Sequence, residues 1–332
     1  MPLDPTYAMI RRYREVTGFT PLYKMSVEEA RRADAETEAA NWDWHEHPEE
    51  VFDVDFTGSA GRQTVRVYRP QSDEPLPMVL YFNGGGFVVG SLSTSDSICR
   101  ALATMVPCVV VSVGYRLAPE HPFPAAVDDC YTAVKWAADH AAEFGADSRR
   151  IAVAGDSAGG NLAAAMALMA RDKNGPELSA QVLVYPPLHN NLASKSMREN
   201  KDPMFFNAHS SAWFWNHYLA NPTDGDSPYA SPLKAADHSG LPAALILTAE
   251  LCPVRDEGEA YANALSAAGV PVEHHDYAGL PHGFLAVAAK LQTSRDALAL
   301  IAGYLRQRLG VDPRHSTDDV VLMANQRVPS GA

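Results

Sequence analysis

Short runs of consecutive apolar residues recur through the middle of the chain, at 78–82, 108–113, 151–154, 181–185 and 244–248. Strands that are apolar on both faces are typical of a parallel sheet that is covered on both sides. Segments with helical periodicity lie between or after these runs, at 125–144, 159–171, 257–268 and 293–309. Because strands and helices alternate, the pattern predicts an α/β fold with a mostly parallel central sheet flanked by helices.

The segments before this core have a different pattern. Residues 51–57 and 63–68 alternate apolar and polar positions with Gly58 and Gly61 between them, which predicts an antiparallel hairpin at the edge of the sheet. Residues 26–40 begin with Ser26 three positions before Glu29, a capping box, and continue in strong helix formers. This segment is predicted to be a helix outside the main core.

Residues 188–240 interrupt the alternation, because they are rich in aromatic residues and contain no obvious core strand. We interpret them as a helical insertion between two strands of the sheet. A single domain spanning 1–332 is therefore expected, with a helical cap formed by about 1–48 and 188–240 over the strand ends. The tail at 312–332 lacks periodicity and is expected to be a C-terminal extension.

Composition narrows the class of protein. A chain of 332 residues with 46% hydrophobic content can bury a large core. Its 40 acidic and 27 basic residues give a formal charge of -13, which disfavours nucleic acid and anionic membrane surfaces as partners and suits a small neutral or cationic one. No apolar run approaches the roughly 20 residues that span a bilayer. The four cysteines lack paired spacing and no secretory segment is evident, so buried thiols and a cytoplasmic location are expected.

The run from Gly155 to Gly160, Gly-Asp-Ser-Ala-Gly-Gly, lies between a short apolar run and a strongly helical segment. A G-x-S-x-G sequence between a strand and a helix is the nucleophile elbow, in which the central serine projects its hydroxyl from a strained turn. The motif predicts Ser157 as a nucleophile, with the N–H group of Ala158 facing the oxyanion that its attack would create. The alternative is a glycine-rich turn with an ordinary N-cap serine.

Three consecutive glycines, Gly84 to Gly86, follow the first core run and are preceded by Asn83. Such a loop can bring backbone N–H groups close to an oxyanion. Together with the elbow and the stretch YRLAPEHPFPAA at 115–126, it resembles the hormone-sensitive-lipase family of esterases. The resemblance covers about residues 1–310 and implies an α/β-hydrolase fold, carboxylesterase activity and an oxyanion hole formed by Gly84, Gly85 and Ala158. Asn83 departs from the family pattern, which usually has His at this position.

His282 is the candidate general base. It lies in the run LPHGF at 280–284, after the last predicted strand at 272–277 and before the final helix. This matches the order of nucleophile, acid and histidine in the fold and the position of the family's catalytic His. His274 and His275 lie within the strand pattern, and a structural role is preferred for His121.

The acid position is anomalous. Relatives have Asp-Pro-Leu-x-Asp-Glu-Gly after the strand, whereas this chain has Cys252 in the place of the first Asp. A neutral thiol stabilises an imidazolium less than a carboxylate does. Three alternatives stay open: Asp256 reaches His282 if Pro253 begins a helix with Cys252 as its N-cap, Glu250 shares the site if the chain stays extended, or Ser157 and His282 act as a dyad.

The substrate pocket is expected between the core and the insertion. Its candidate wall residues are aromatic, and one or two of them are expected to contact substrate rather than pack within the cap: Phe205, Phe206, Trp213, Phe214 and Trp215, with Phe206, Trp213 and Phe214 preferred.

The resulting hypothesis is hydrolysis of short to medium acyl or aryl esters through an acyl-enzyme, with no metal or organic cofactor. The partner is a small-molecule ester, and the fold also permits a homodimer. Two alternatives remain: a catalytically weakened small-molecule receptor, suggested by Asn83 and Cys252, and a lyase or acyl transferase that uses the same pocket.

Overall fold

A single twisted sheet organises the protein. The computed structural model describes residues 2–39, 47–288 and 290–311, and within them the strands follow the order β1-β2-β4-β3-β5-β6-β7-β8. Strands β3 to β8 pair in parallel, while β1 pairs with β2, and β2 with β4, in antiparallel fashion. The strands are β1 (Glu50–Gly58), β2 (Gly61–Arg69), β3 (Leu76–Phe82), β4 (Val109–Gly114), β5 (Ala146–Asp156), β6 (Ala180–Val184), β7 (Ala243–Leu251) and β8 (Val272–Pro281). The prediction of a mostly parallel sheet with an antiparallel hairpin at its edge is confirmed.

Helices cover both faces of this sheet. Along β3, Met78 and Leu80 join one apolar cluster and Val79 and Tyr81 join the other, as the two-residue period of a strand requires. Helices α4, α5 and α8 contribute to the first cluster, and α3 and α9 to the second. The helices are α1 (Pro5–Thr17), α2 (Val27–Ala39), α3 (Asp96–Met105), α4 (Ala125–Asp139), α5 (Ala158–Asp172), α6 (Lys195–Glu199), α7 (Ala208–Tyr218), α8 (Arg255–Ala267) and α9 (Gln292–Leu309).

The helices agree with the expectation in part. Helix α2 has the expected capping box, since Ser26 N–H donates to Glu29 at 2.8 Å and Glu29 N–H donates to the Ser26 hydroxyl at 3.2 Å. The helix predicted over 125–144 ends at Asp139 and is followed by a 3₁₀ turn. The sequence reasoning did not predict α1 and α3 as separate helices; α1 begins at Pro5 and ends before Gly18, and α3 has only ten residues.

The N-terminal segment packs on the insertion at 188–240. The Arg11 guanidinium pairs with Asp202 at 2.7 Å, and the ring of Tyr7 meets Phe205 edge to face. The insertion contains α6, α7 and 3₁₀ turns but no strand, so its helical character is confirmed. The boundaries of the cap stay a prediction, since residues 40–46 lie outside the described ranges, as does the expected extension at 312–332.

Two further expectations concern thiols and membranes. The four cysteines are buried and free, as expected from their spacing. In the described ranges, no helix combines the length and the apolar character that crossing a bilayer requires.

Candidate active site

Ser157 lies at a sharp turn between β5 and α5. Its backbone has φ 52° and ψ -122°, a strained conformation, and its N–H group donates to Val184 O at 2.8 Å. The flanking glycines make the turn possible. A Cβ atom at Gly155 would lie 2.3 Å from the backbone of Gly159, and one at Gly159 would lie 1.8 Å from Phe82 O. The structure therefore has the backbone of a nucleophile elbow at this position.

His282 follows β8 directly, and its Nε2 atom lies 2.8 Å from Ser157 Oγ. The ring of Phe206 stacks on the imidazole with centroids 4.3 Å apart, and Tyr185 lies on it at 4.7 Å. Burial between these groups lowers the pKa of His282 to about 3. The imidazole is therefore neutral at physiological pH and able to accept a proton from Ser157.

Cys252 faces the other nitrogen of the same ring. It follows β7, is fully buried, and places Sγ 3.1 Å from His282 Nδ1. When Nε2 accepts the Ser157 proton, Nδ1 carries a hydrogen that points to the sulfur. The backbone N–H group of Val254 also hydrogen-bonds to this sulfur, while burial raises the pKa of the thiol well above its ordinary value. The sulfur thus receives N–H donors but stays uncharged.

The carboxylates considered as substitutes are engaged elsewhere. Helix α8 begins at Arg255 with Val254 as its N-cap, so the expectation that Cys252 would be the N-cap is wrong. Asp256 accepts hydrogen bonds from Ser196 N–H at 2.8 Å and from Arg255, and Glu250 accepts one from Gly279 N–H at 2.7 Å. Both carboxylates are therefore bound to groups other than His282.

The glycine loop packs on the elbow through Asp156. Gly84 N–H donates to Asp156 Oδ1 at 3.1 Å, and the Tyr81 hydroxyl donates to the same oxygen at 2.9 Å. The N–H group of Gly84 is therefore already used, which conflicts with its expected role as an oxyanion donor. Gly86, by contrast, lines the same cavity as Ser157.

Asn83 holds this loop from the other side. Its Nδ2 atom donates to Gly84 O at 2.8 Å, and its backbone oxygen accepts a hydrogen bond from the Tyr115 hydroxyl at 2.9 Å. The backbone then turns through Gly85 at φ 113° and Gly86 at φ 59°, conformations that favour glycine. The Asn83 side chain and backbone thus anchor the loop.

A small cavity of about 20 Å³ opens beside the Ser157 hydroxyl. Helix α7 supplies Ser211, Phe214 and Trp215 to its wall, positions three and four residues apart and hence on one helix face. Trp213 lies on another face of α7, where its ring packs against His217 at 4.2 Å, so the expectation that it lines the cavity is wrong. The described lining residues are Gly86, Phe87, Ser157, Pro187, Phe206, Ser211, Phe214 and Trp215.

Sequence reasoning missed several residues of the site. Trp215 was among the candidate wall residues, and the helical period could have added Ser211 to Phe214 and Trp215 once the bounds of α7 were known. Asp156 and Tyr185 carry no comparable signal, because their contacts join segments far apart in the chain. Among the described residues, no cluster of three or more His, Cys, Asp or Glu side chains has the arrangement of a metal site.

Comparison with known families places the chain clearly. Residues 79–286 match the family model described as alpha/beta hydrolase fold, and residues 1–116 match the model for acetyl xylan esterase. The first match covers more than half of the chain and includes the elbow, the glycine loop and His282.

Individual relatives agree with this family match. Esterase LipI of Mycobacterium tuberculosis is 43% identical over 257 residues, which cover 76% of this chain and 80% of that protein. Ethyl acetate hydrolase of Pseudomonas putida is 34% identical over 320 residues, covering 93% of this chain and 100% of the relative. The solved esterase of the archaeon Pyrobaculum calidifontis superposes with a TM-score of 0.88 at 42% identity, covering 92% of this chain and 99% of that one.

Proposed function

Because the chain belongs to the hormone-sensitive-lipase family of carboxylesterases in the α/β-hydrolase superfamily, we propose that it hydrolyses carboxylic esters with Ser157 as nucleophile and His282 as general base. The observation that carries this proposal is the 2.8 Å contact between Ser157 Oγ and His282 Nε2. This contact lies within the range required for proton transfer from a hydroxyl.

The reaction begins when Ser157 Oγ attacks the ester carbonyl carbon and its proton passes to His282 Nε2. The carbonyl oxygen becomes an oxyanion as the tetrahedral intermediate forms. Collapse of this intermediate breaks the bond to the alcohol, which leaves with the proton from His282 and creates an acyl-enzyme. A water molecule then attacks the acyl carbon as His282 takes one of its protons. The second tetrahedral intermediate breaks the bond to Ser157 Oγ, which recovers this proton from His282, and the carboxylic acid leaves.

We assign the oxyanion donors to the N–H groups of Gly85, Gly86 and Ala158. Ala158 is the first residue of α5, so its N–H group has no intrahelical acceptor and the helix dipole favours negative charge there. Gly86 replaces Gly84 in the expected set, because the Gly84 N–H group donates to Asp156 and Gly86 lines the cavity with Ser157.

Cys252 acts in this proposal as an uncharged acceptor that fixes the orientation of His282. Its sulfur lies 3.1 Å from Nδ1 and is held by the Val254 N–H group. A neutral sulfur selects the tautomer with hydrogen on Nδ1, but it stabilises the imidazolium less than a carboxylate does. We therefore expect a triad of Ser157, His282 and Cys252 that is functional and slower than one with Asp.

The cavity favours small acyl or alcohol groups. Its volume of about 20 Å³ is little more than the roughly 10–15 Å³ that one water molecule requires in this measure. Phe206, Phe214 and Trp215 surround it, so a longer chain requires these rings to move. Short acyl and aryl esters are accordingly the substrates we propose.

The proposal is tested with p-nitrophenyl acetate, butyrate and octanoate. We expect the wild type to hydrolyse the two short esters faster than the octanoate, and the Ser157→Ala and His282→Ala variants to lose at least about 10³-fold in kcat. His275→Ala, at an exposed position of β8, is the matched control and should keep the wild-type rate. Release that is unaffected by Ser157→Ala would refute the assignment.

A further inference from the structure

Ser211 is a polar residue in an otherwise mostly apolar wall. It lies on α7 three and four residues before Phe214 and Trp215, and all three line the cavity that contains Ser157. The side chain is almost completely removed from solvent, with 2% of the residue exposed. The helix therefore presents one buried serine and two aromatic side chains to the cavity.

Two other buried serine hydroxyls of the protein, those of Ser196 and Ser294, are held by backbone acceptors. Ser196 Oγ donates to Pro253 O and Ser294 Oγ donates to Phe284 O, each at 2.7 Å. The backbone N–H group of Ser211 donates to Asn207 O at 2.9 Å, but in the part of the chain that the structure describes its hydroxyl has no hydrogen-bond partner. Because Ser211 lines the cavity, a group bound there can be the partner of its hydroxyl.

We propose that Ser211 is a specificity-determining residue that donates a hydrogen bond to an oxygen of the substrate. The substrate class is small esters that carry an ether or carbonyl oxygen within a few bonds of the ester group, in the acyl or the alcohol part. This inference rests on the proposed function, because it places an ester at Ser157.

The chemistry of the wall supports discrimination between oxygen-bearing and purely aliphatic substrates. An aliphatic chain in this cavity contacts the rings but leaves the Ser211 hydroxyl unpaired. A chain of the same length with one oxygen gains the hydrogen bond while keeping the shape. Sites that hold a buried donor reject analogues that lack the matching acceptor for this reason.

The experiment uses two pairs of esters that match in length. The acyl pair is p-nitrophenyl methoxyacetate and p-nitrophenyl butyrate, and the alcohol pair is 2-methoxyethyl acetate and butyl acetate. For each pair the ratio of kcat/KM, oxygen-bearing over aliphatic, is measured in the wild type and in Ser211→Ala. Comparing the ratio between enzymes removes the intrinsic difference in reactivity between the two esters.

We expect Ser211→Ala to lower the ratio by about three- to tenfold in one of the two pairs, the range of one hydrogen bond. Ser210→Ala is the matched control, since Ser210 is buried on the same helix but is not among the residues that line the cavity, and it should leave both ratios unchanged.

The outcomes separate the two proposals. Ratios that are the same in the wild type and in Ser211→Ala, in enzymes that hydrolyse all four esters, would overturn the role of Ser211 and leave the esterase proposal intact. The same drop in Ser210→Ala would also overturn it, because the effect would then come from the helix and not from the hydroxyl. An absence of Ser157-dependent hydrolysis with every ester would instead overturn the proposed function itself.

Discussion

Cys252 determines how the histidine works, because the sulfur is the atom that faces Nδ1 of His282. The position has the features of an acid site: it follows a strand end, it is fully buried, and a backbone N–H group points at it. What it lacks is charge, since burial raises the pKa of the thiol. The transition state is therefore less stabilised, because the imidazolium forms without a carboxylate beside it.

Substitution of Cys252 by Asp should therefore increase activity. We expect kcat for p-nitrophenyl acetate to rise by at least about tenfold in Cys252→Asp, because a charged partner contributes up to about 10⁴ in a comparable triad. Cys252→Asn is the matched control, since it has the shape of Asp without the charge and should not exceed the wild type. An Asp variant that folds normally but is no faster would show that charge at this position is unimportant.

The acid limb of the pH profile of kcat/KM should lie at a different pH in Cys252→Asp than in the wild type. Activity requires neutral His282, so the rate falls as pH decreases through the pKa of this group. In the wild type the pKa is lowered to about 3, so activity should persist to the acid limit of stability. A carboxylate beside Nδ1 raises this pKa, so the acid limb of Cys252→Asp should lie at higher pH. Coincident acid limbs in the two enzymes would contradict the absence of a charged partner in the wild type.

Sequence reasoning reached Ser157, His282 and Cys252 because each lies in a short motif. It included Gly84 among the oxyanion donors because the motif does not reveal that this N–H group is already bonded to Asp156. The bond from Gly84 to Asp156 joins β5 to the loop after β3, two segments more than 70 residues apart. The sequence likewise does not show whether Asp256 reaches His282, because that depends on where α8 begins.

At the scale of elements, α2 is linked to the glycine loop through Arg31. Its guanidinium donates to Val88 O at 2.9 Å and Ala118 O at 3.0 Å and forms two bonds to Glu120. The N–H groups of Val88 and Val89 in turn donate to Gly85 O. Helix α2 thus restrains the glycine loop, which we propose as part of the oxyanion hole.

Loss of Arg31 should therefore impair catalysis. We expect Arg31→Ala to lower kcat by about three- to tenfold, a fraction of the 10²–10³ that removal of one oxyanion donor costs, together with a decrease of a few degrees in Tm. Arg32→Ala is the control from the next position, where the exposed side chain pairs only loosely with Glu28 at 3.6 Å. Equal effects of the two substitutions on kcat would argue against a link between α2 and the loop.

The elements differ in how far the sequence predicts them. The core strands are evident because burial on both faces leaves continuous apolar runs, and α2 is evident from its capping box. Helix α3 has no such signal, since its ten residues stand between loop-like serines and the next strand. Within α7, the choice of Trp213 failed because neighbouring aromatic residues of a helix face different directions.

At the scale of the whole molecule, the parallel sheet brings the reacting groups together. Ser157 follows β5, Cys252 follows β7 and His282 follows β8, all at the carboxyl ends of strands that lie in the order β5-β6-β7-β8. The alternation of strands and helices predicts this arrangement from the sequence. The atoms that contact His282 do not follow from it, because they depend on loop conformations that no periodicity encodes.

The central claim is that Ser157, activated by His282, forms a covalent acyl-enzyme while Cys252 does not react. Labelling with paraoxon followed by mass spectrometry of proteolytic peptides tests it most directly. We predict one diethyl phosphoryl group per chain, located on Ser157 and absent from His282→Ala over the same time. A label on Cys252, or stoichiometric labelling of the Ser157→Ala variant, would contradict the account.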